Sequence, residues 1–547
     1  MGHYMIKHRT FYATALTVMA LVASSFAASA APATPAAPTA PRQPSGGAQE
    51  YVVTFDSGVD AATAAVEAAG GTVVDVNEEI GLALVSTSDA NFAGDVSAET
   101  GVTGVARNHS VGTSRQGMPH RFADERPSSG ERSRRQGRGS TRHEGRGGAG
   151  SEEPLADLQW DMEMIGATPA AAHKKATGKG VDVGIIDTGI DGSHPDIAPN
   201  FDSRRSRNFT MDIPSIDGPC EVATCIDPAN VDDGGHGTHV AGIVAADNNR
   251  FGIGGVAPDA KLVNLRAGQD AGFFFLYETV AALTEAGNLR LDVVNMSFYT
   301  DPWLWNCASR DDYISGDVSD EEIAEQALTR QLVFAATKYA HDRGVTLVAA
   351  AGNSHFDLSA AERPDATSPD FPVGTERERV VTNNCLDLPS EAPDVISVSS
   401  VGPSTTKSDF SNYGLPETEI AAPGGWFRDF VGTPNFSVKY CDRRGKCGFY
   451  TYLQGTSMAS PHAAGVAALI VERWGRNSGG GKALDPDVVS SILSNTATDH
   501  ACPAGGVEIY TDEGRTPDFN APCSGTTDNN GLYGEGIISA ATAVRRR

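Results

Sequence analysis

The chain has 547 residues, with 43 Lys+Arg against 69 Asp+Glu and a formal charge of −26. So acidic a balance argues against nucleic acid or an anionic membrane as partner, since both call for a cationic face. The charge is unevenly placed: residues 1–150 hold 13 basic and 14 acidic side chains, leaving 30 and 55 for the remainder, which carries −25.

In chain order, Lys7, His8 and Arg9 precede an apolar, small-residue stretch from Phe11 to Phe26, closed by Ala28-Ser29-Ala30. That is the pattern of a secretory signal with an A-x-A cleavage site, so residues 1–30 are expected to be removed on export. The run is short and rich in Ala, Ser and Thr, which disfavours a membrane anchor, and no later stretch has the length of a span. The mature protein is expected to be secreted and extracellular. Residues 31–49 are Pro/Ala-rich and read as a linker.

Residues 50–112 change character. Alternation and turn glycines predict strands at 51–55, 72–76, 81–85 and 102–106, with helices at 61–69 and 90–100. A β-α-β-β-α-β order is that of a small ferredoxin-like α+β module. Residues 113–153 then hold nine Arg against six Asp+Glu and little that is apolar. Such a segment cannot bury a core and reads as a disordered basic linker, open to proteolysis at Arg134-Arg135.

The remainder, 154–547, carries the chemistry. Residues 181–186 read as a buried parallel strand, delivering Asp187-Thr188-Gly189 to its carboxyl end, where active sites of open α/β sheets gather. His236-Gly237-Thr238-His239 opens a second apolar run, predicted to be a buried helix. Residues 345–351 read as another strand, ending at Gly352-Asn353. Gly455-Thr456-Ser457-Met458 precedes a long apolar helix, with Pro461 expected in its first turn, the place where a missing N–H costs least.

A serine hydroxyl is a weak nucleophile and needs a base. His236 can take its proton, and Asp187 can fix the imidazole tautomer. The order Asp187, His236, Ser457 matches one of the known triad orders. Asn353 can donate to the oxyanion of a tetrahedral intermediate, beside the backbone N–H of Ser457. His239 reads as structural. A zinc site from His236 and His239 is disfavoured, because no Glu follows the first His.

Asp187-Thr188-Gly189, residues 236–242, 349–353 and 455–462 together resemble the motifs of the subtilase family, the subtilisin-like serine peptidases, in that family's order. The likeness extends from Trp160 to a closing Gly534-Glu535-Gly536. It implies one α/β domain over 154–547, a mostly parallel sheet flanked by helices, preceded by a propeptide at 50–112 acting as folding chaperone and inhibitor. The implied protein is a monomeric, secreted serine endopeptidase made as a self-inhibited zymogen and acting on peptide or protein substrates. A catalytically silent binding protein on the same fold is the alternative.

The resemblance also implies structural calcium, bound by a loop at 247–253 through Asp247, Asn249, Phe251 and Ile253 with help from Asp196. No residue corresponds securely to the family's N-terminal glutamine ligand. For substrate, residues 293–297 resemble the strand that pairs with peptide main chain. Ser297, Phe298 and Tyr299 would form one wall of the primary pocket, Ala350 and Gly352 the other. Here the chain departs from the pattern: Phe298 and Tyr299 stand where the family has a small apolar residue and glycine. Segments 300–344 and 354–395 are also lengthened, and either sharpen recognition or ride as inert surface.

All eight cysteines lie after residue 154, consistent with an oxidising compartment. Local spacing favours Cys220–Cys225, Cys441–Cys447 and Cys502–Cys523, leaving Cys307–Cys385; connectivity is not deducible from sequence.

Overall fold

The computed structural model describes residues 48–108, 153–368, 377–427, 435–438, 450–478, 481–511 and 514–545, all inside one compact unit. The expected signal peptide, nearly all of both linkers and the Cys441–Cys447 pairing lie outside the described residues. The other three pairs are formed: Cys220–Cys225, Cys307–Cys385 and Cys502–Cys523.

The first module runs β1 (Gln49–Phe55), α1 (Val59–Ala68), β2 (Thr72–Asn77), β3 (Leu82–Thr87), α2 (Phe92–Ser97) and β4 (Val102–Arg107). Its strands form an antiparallel sheet ordered β2-β3-β1-β4. Because side chains alternate across a strand, Tyr51, Val53, Ala83 and Val85 pack on Val66, Phe92 and Val96 of the module's own helices. Val52, Leu82, Leu84 and Ala106 face the other way and join an apolar cluster of the larger domain. The small sheet is thus apolar on both faces and is completed by what it docks on.

The larger domain contributes α3 (Trp160–Ile165), β5 (Asp182–Ile186), β6 (Arg207–Asn208), α4 (His236–Ala245) and β7 (Lys261–Arg266). It continues with α5 (Leu276–Leu289), β8 (Val293–Met296), α6 (Asp320–His341), β9 (Thr346–Ala350), β10 (Val395–Val401), β11 (Ile420–Pro423) and α7 (Thr456–Trp474). Seven strands form one sheet, β11-β10-β9-β8-β5-β7-β6, and every neighbouring pair is parallel. Helices cover both faces, as a parallel sheet whose central strands are buried on both sides requires. Val183, Ile185, Val348 and Val398 face the α4 and α7 side. Ile186, Val263, Val294, Met296 and Leu347 face α5 and α6.

The N-terminal module sits on α5 and α6. Asn77 Nδ2 donates to Thr284 Oγ1 at 2.6 Å, and Arg107 Nε pairs with Glu325 at 2.8 Å. Asn108 Oδ1 accepts from the Tyr277 backbone N–H at 2.8 Å. Tyr277 is the second residue of α5, whose N-cap position, Phe275, has no side chain able to accept. The module therefore caps a helix of the domain it covers.

Candidate active site

Register along the sheet places the site. Ile186 stands opposite Met296, and Met296 opposite Ala349. The next residues, Asp187, Ser297 and Ala350, therefore stand side by side at the carboxyl edge of three central strands. Of the expected site residues, His236 is bonded to Asp187 and Ser457 to Ser297 in this row.

Asp187 has no solvent exposure, and its Oδ1 lies 2.8 Å from His236 Nδ1. The Thr188 backbone N–H donates to the same oxygen at 2.7 Å. His236 opens α4 and must approach Asp187 closely, which Gly237 allows: a Cβ there would lie 2.2 Å from the Gly189 carbonyl oxygen. Asp232, which sequence reading passed over, anchors this helix start. Its carboxylate accepts from Gly235 N at 2.7 Å, Thr238 N at 2.8 Å and Thr188 Oγ1 at 2.9 Å, and from the Thr238 hydroxyl. The signal was an acid four residues before the histidine, at a helix N-terminus where carboxylates are stabilised.

Ser457 is the second residue of α7 and 3% exposed. Its hydroxyl donates to the Ser297 carbonyl at 3.5 Å. Pro461 departs from expectation. It is the sixth residue of α7, beyond the first turn. Having no N–H, it leaves the Ser457 carbonyl, four residues earlier, without its helical donor. The Ser297 hydroxyl supplies the replacement, donating to that carbonyl at 3.0 Å. Ser297 Oγ in turn accepts from Asn295 Nδ2 at 2.9 Å and contacts Ser460 Oγ at 2.9 Å. The Ser297 side chain thus lies beneath the helix.

Asn353 follows β9. Its Oδ1 accepts from the Thr456 N–H at 2.8 Å and the Thr456 hydroxyl at 2.9 Å. This fixes which end of the amide is the donor. Thr456 Oγ1 also accepts from Gly352 N at 3.1 Å. Gly352 has φ +98°, and a Cβ there would lie 2.4 Å from Asn412 Nδ2, so a glycine is required.

His239 is wholly buried, and its pKa is pushed down to about 3, first by burial and then by the charges of His236 and His462. Its Nε2 lies 3.3 Å from the Thr451 carbonyl oxygen. It is therefore neutral around neutral pH. Phe298 stacks on Phe274 with centroids 4.0 Å apart, while Tyr299 packs against a separate cluster around Trp305.

The calcium-loop residues do come together. Asp196 accepts from Ile253 N at 3.1 Å, Asn249 Nδ2 at 3.2 Å and Tyr450 OH at 2.8 Å. Its backbone carbonyl accepts from Asp247 N at 2.8 Å. Asn249 Oδ1 accepts from Phe251 N at 2.8 Å. Sequence reading found no ligand from the N-terminal segment, but Glu153 is there. Its Oε1 accepts from Arg250 N at 3.0 Å, and its buried Oε2 has no hydrogen-bond partner among the described residues. Burial and the mutual repulsion of nearby acids push the pKa of both Asp196 and Glu153 up. Buried carboxylates with an orphaned oxygen fit a hard divalent cation.

A second acidic group, Asp212, Glu221, Asp227 and Asp270, brings one ligand atom from each within 4.8 Å of the others. Arg266, itself buried, lies 2.9 Å from Asp227, 2.9 Å from Asp270 and 3.5 Å from Asp212. Its guanidinium serves as an internal counter-ion.

The fold, a parallel sheet flanked by helices with these residues at its carboxyl edge, is subtilisin-like. The profile of the subtilase family matches residues 178–521, more than half of the chain, and the chain belongs to that family. It is similar to a thermostable alkaline protease of Halalkalibacterium halodurans, 30% identical over 317 residues, covering 58% of this chain and 63% of that protein. Subtilisin DY of Bacillus licheniformis is 30% identical over 321 residues, covering 59% and 85% of the two chains. Among solved structures, the epidermin leader peptide processing serine protease of Staphylococcus aureus superposes with a TM-score of 0.59. It is 20% identical, with 91% of this chain and 98% of that one covered, a likeness of fold.

Replacing Ser297 by Ala leaves the Ser457 carbonyl unsatisfied and should destabilise the protein by about 1–3 kcal/mol, read from denaturant unfolding. For His239, a folded pKa near 3 lies below the ordinary 6.5, so the unfolded chain binds the extra proton. Stability from this group is complete above pH 6.5 and is lost progressively as pH falls towards 3. His239→Gln should flatten that limb of the stability-versus-pH curve, and an unchanged limb would place its origin elsewhere.

Proposed function

We propose that this chain is a secreted serine endopeptidase made as a self-inhibited zymogen. The observation that carries the reading is the row Asp187, Ser297, Ala350 on one sheet edge, with His236 bonded to the first and Ser457 to the second. His236 deprotonates Ser457 as it attacks a peptide carbonyl, while Asp187 holds the imidazole and stabilises its charged form. The oxyanion is met by Asn353 and the Ser457 N–H at the start of α7, where the helix dipole favours negative charge. Water then releases the acyl-enzyme. Residues 50–112 act as propeptide, supported by their docking on α5 and α6. The basic linker after them, with Arg134-Arg135, is the segment cut on maturation. Residues 1–30 direct export, supported by the basic residues, short apolar run and Ala28-Ser29-Ala30 of that segment.

Calcium is proposed as a structural ion held by Asp196, Asn249, the carbonyls of Asp247, Phe251 and Ile253, and Glu153. Bound there, it would neutralise the buried acids and tie the N-terminal segment of the mature domain to the loop after α4.

The decisive test compares the N-terminus and mass of the secreted wild type with those of Ser457→Ala. Wild type is expected to lose its first ~110–155 residues, with the variant retaining them. Equal trimming would assign processing to another protease, and no trimming together with no labelling by a serine-directed covalent probe would favour the silent binding protein. For the ion, a chelator should lower the melting temperature and calcium restore it. At 100 times Kd the gain should be about 2.7 kcal/mol. Glu153→Gln should raise the calcium needed for half that gain by roughly tenfold or more, whereas an unchanged midpoint would remove Glu153 from the set.

A further inference from the structure

An oxyanion donor accelerates a reaction only if it is already aimed when charge develops. Asn353 is exposed and stands on a loop, so its aim depends on what holds that loop. On the α7 side its Oδ1 is tied to Thr456. The other side is held by two layers of chain.

The inner layer is the stretch 407–413, which follows β10. Asn412, fully buried, accepts through Oδ1 from Ser354 N at 3.1 Å and Phe356 N at 3.0 Å. Its own N–H donates to the Gly352 carbonyl at 2.9 Å, and Tyr413 N to the Phe356 carbonyl at 3.0 Å. These bonds grip Gly352, Ser354 and Phe356, and between them His355 has φ +52°. That left-handed conformation is sparsely populated by residues with a Cβ and persists only where the surroundings impose it. The His355 N–H donates to the Phe410 carbonyl at 2.8 Å. Its ring stacks on that of Phe519, with centroids 4.0 Å and planes 23° apart.

Phe519 belongs to the outer layer, the C-terminal segment closed by the Cys502–Cys523 disulfide. The Arg515 guanidinium carbon lies 4.3 Å from the same ring, and Arg515 Nε pairs with Asp409, which has no exposure. The Tyr510 hydroxyl donates to the Lys407 carbonyl at 2.8 Å. The segment thus holds the inner layer at Lys407 and Asp409, and reaches past it to the Asn353 loop through Phe519.

We propose that Phe519 is a positioning residue: by holding His355 in its left-handed conformation, it keeps Asn353 aimed at the oxyanion. The inference rests on the serine-peptidase reading above. Without the ring, His355 is free to return to an ordinary φ, which re-aims the peptide planes between it and Asn353. The loss then falls on turnover and not on substrate binding.

The test uses mature enzyme from the full chain and one internally quenched peptide that it cleaves, with sites counted by a fluorophosphonate. Variants that process themselves slowly are matured with affinity-tagged wild type, which is then removed. Phe519→Ala is expected to lower kcat by about tenfold or more, with KM within about twofold. Phe519→Tyr, which keeps the ring, should match wild type. Asn353→Ala should lower kcat by about 100-fold or more, and adding Phe519→Ala to it should cost less than about twofold further. An unchanged kcat in Phe519→Ala overturns the inference, as does a change confined to KM. So does an undiminished loss in the Asn353→Ala background, the mark of general loosening. Should Phe519→Ala fail to fold, Phe519→Leu, apolar but without a flat face, takes its place in the cycle and is read the same way. Labelling of Ser457 in wild type without this coupling sinks the inference alone. No labelling and no cleavage by wild type sinks the peptidase reading and this inference with it.

Discussion

A carboxylate with no exposure to water must be held by donors, or its burial costs several kcal/mol. Asp187, at the end of β5, meets that condition through one oxygen, Oδ1, while its Oδ2 has no partner among the described residues, and much of the site follows from how Oδ1 is held. Its donors are the ring nitrogen of His236 and the backbone N–H of Thr188. Both can reach it only because the strand stops there and α4 begins alongside. The helix start must then come within van der Waals reach of the strand end, which forces Gly237. The helix N-terminus must also be fixed in angle, which Asp232 does by accepting from both sides of the junction, Thr188 on the strand exit and Gly235 and Thr238 on the helix. Asp187 and Asp232 are thus two buried acids serving one joint.

The nucleophile side has a parallel logic. A proline six residues into α7 removes a donor where the helix is most deeply buried, a defect worth about 3 kcal/mol in an ordinary helix interior. Ser297 offsets it from the neighbouring strand exit. One residue thereby contributes its hydroxyl to the helix, while its carbonyl accepts from Ser457 Oγ. Thr456, one step earlier, ties the same helix start to Asn353 and Gly352. The N-terminal turn of α7 is consequently held from β8 and from β9, on opposite sides of the serine.

Much of this was legible in the sequence because it is local. Strand runs such as 181–186, the glycines beside His236 and the small residues around Ser457 announce close packing without any partner being known. The alternation in 50–112 likewise gave the module's element order, since a two-faced sheet imposes period 2 on its strands. The unread parts depend on contacts distant in sequence. Pro461 looks like a first-turn residue until the helix is seen to start at Thr456, and nothing near it names Ser297 as the compensating donor. Glu153 is the last residue of the segment read as a basic linker, and its partner Arg250 lies 97 positions away. Asp232 was visible as an acid but not as a cap, because the helix boundary that makes it one comes from tertiary packing.

The insertion between β8 and β10 shows why such a segment resists sequence reading yet folds. It buries two arginines, Arg363 and Arg379, at 1% and 3% exposure. A buried guanidinium is tolerated when most of its donors are met, and here all are except Arg363 Nε, which has no partner among the described residues. Arg379 binds Asp365 at 2.7 Å and Gln326 at 3.0 Å, with Trp303 3.9 Å from its guanidinium carbon. Arg363 binds both oxygens of Glu391 at 2.9 and 3.0 Å and lies over Trp305. Planar cations stacked on indoles replace the aliphatic layers of an ordinary core, so hydrophobic periodicity is lost while packing is kept. Burial raises the pKa of Asp365 to about 6, against the pull of Arg379. The Cys307–Cys385 bond closes a separation of 78 residues and limits the unfolded alternatives of a segment whose own packing is polar. That crosslink joins the stretch beside Trp305 to the stretch beside Asp387, and the Trp305 cluster it anchors is the one on which Tyr299 rests.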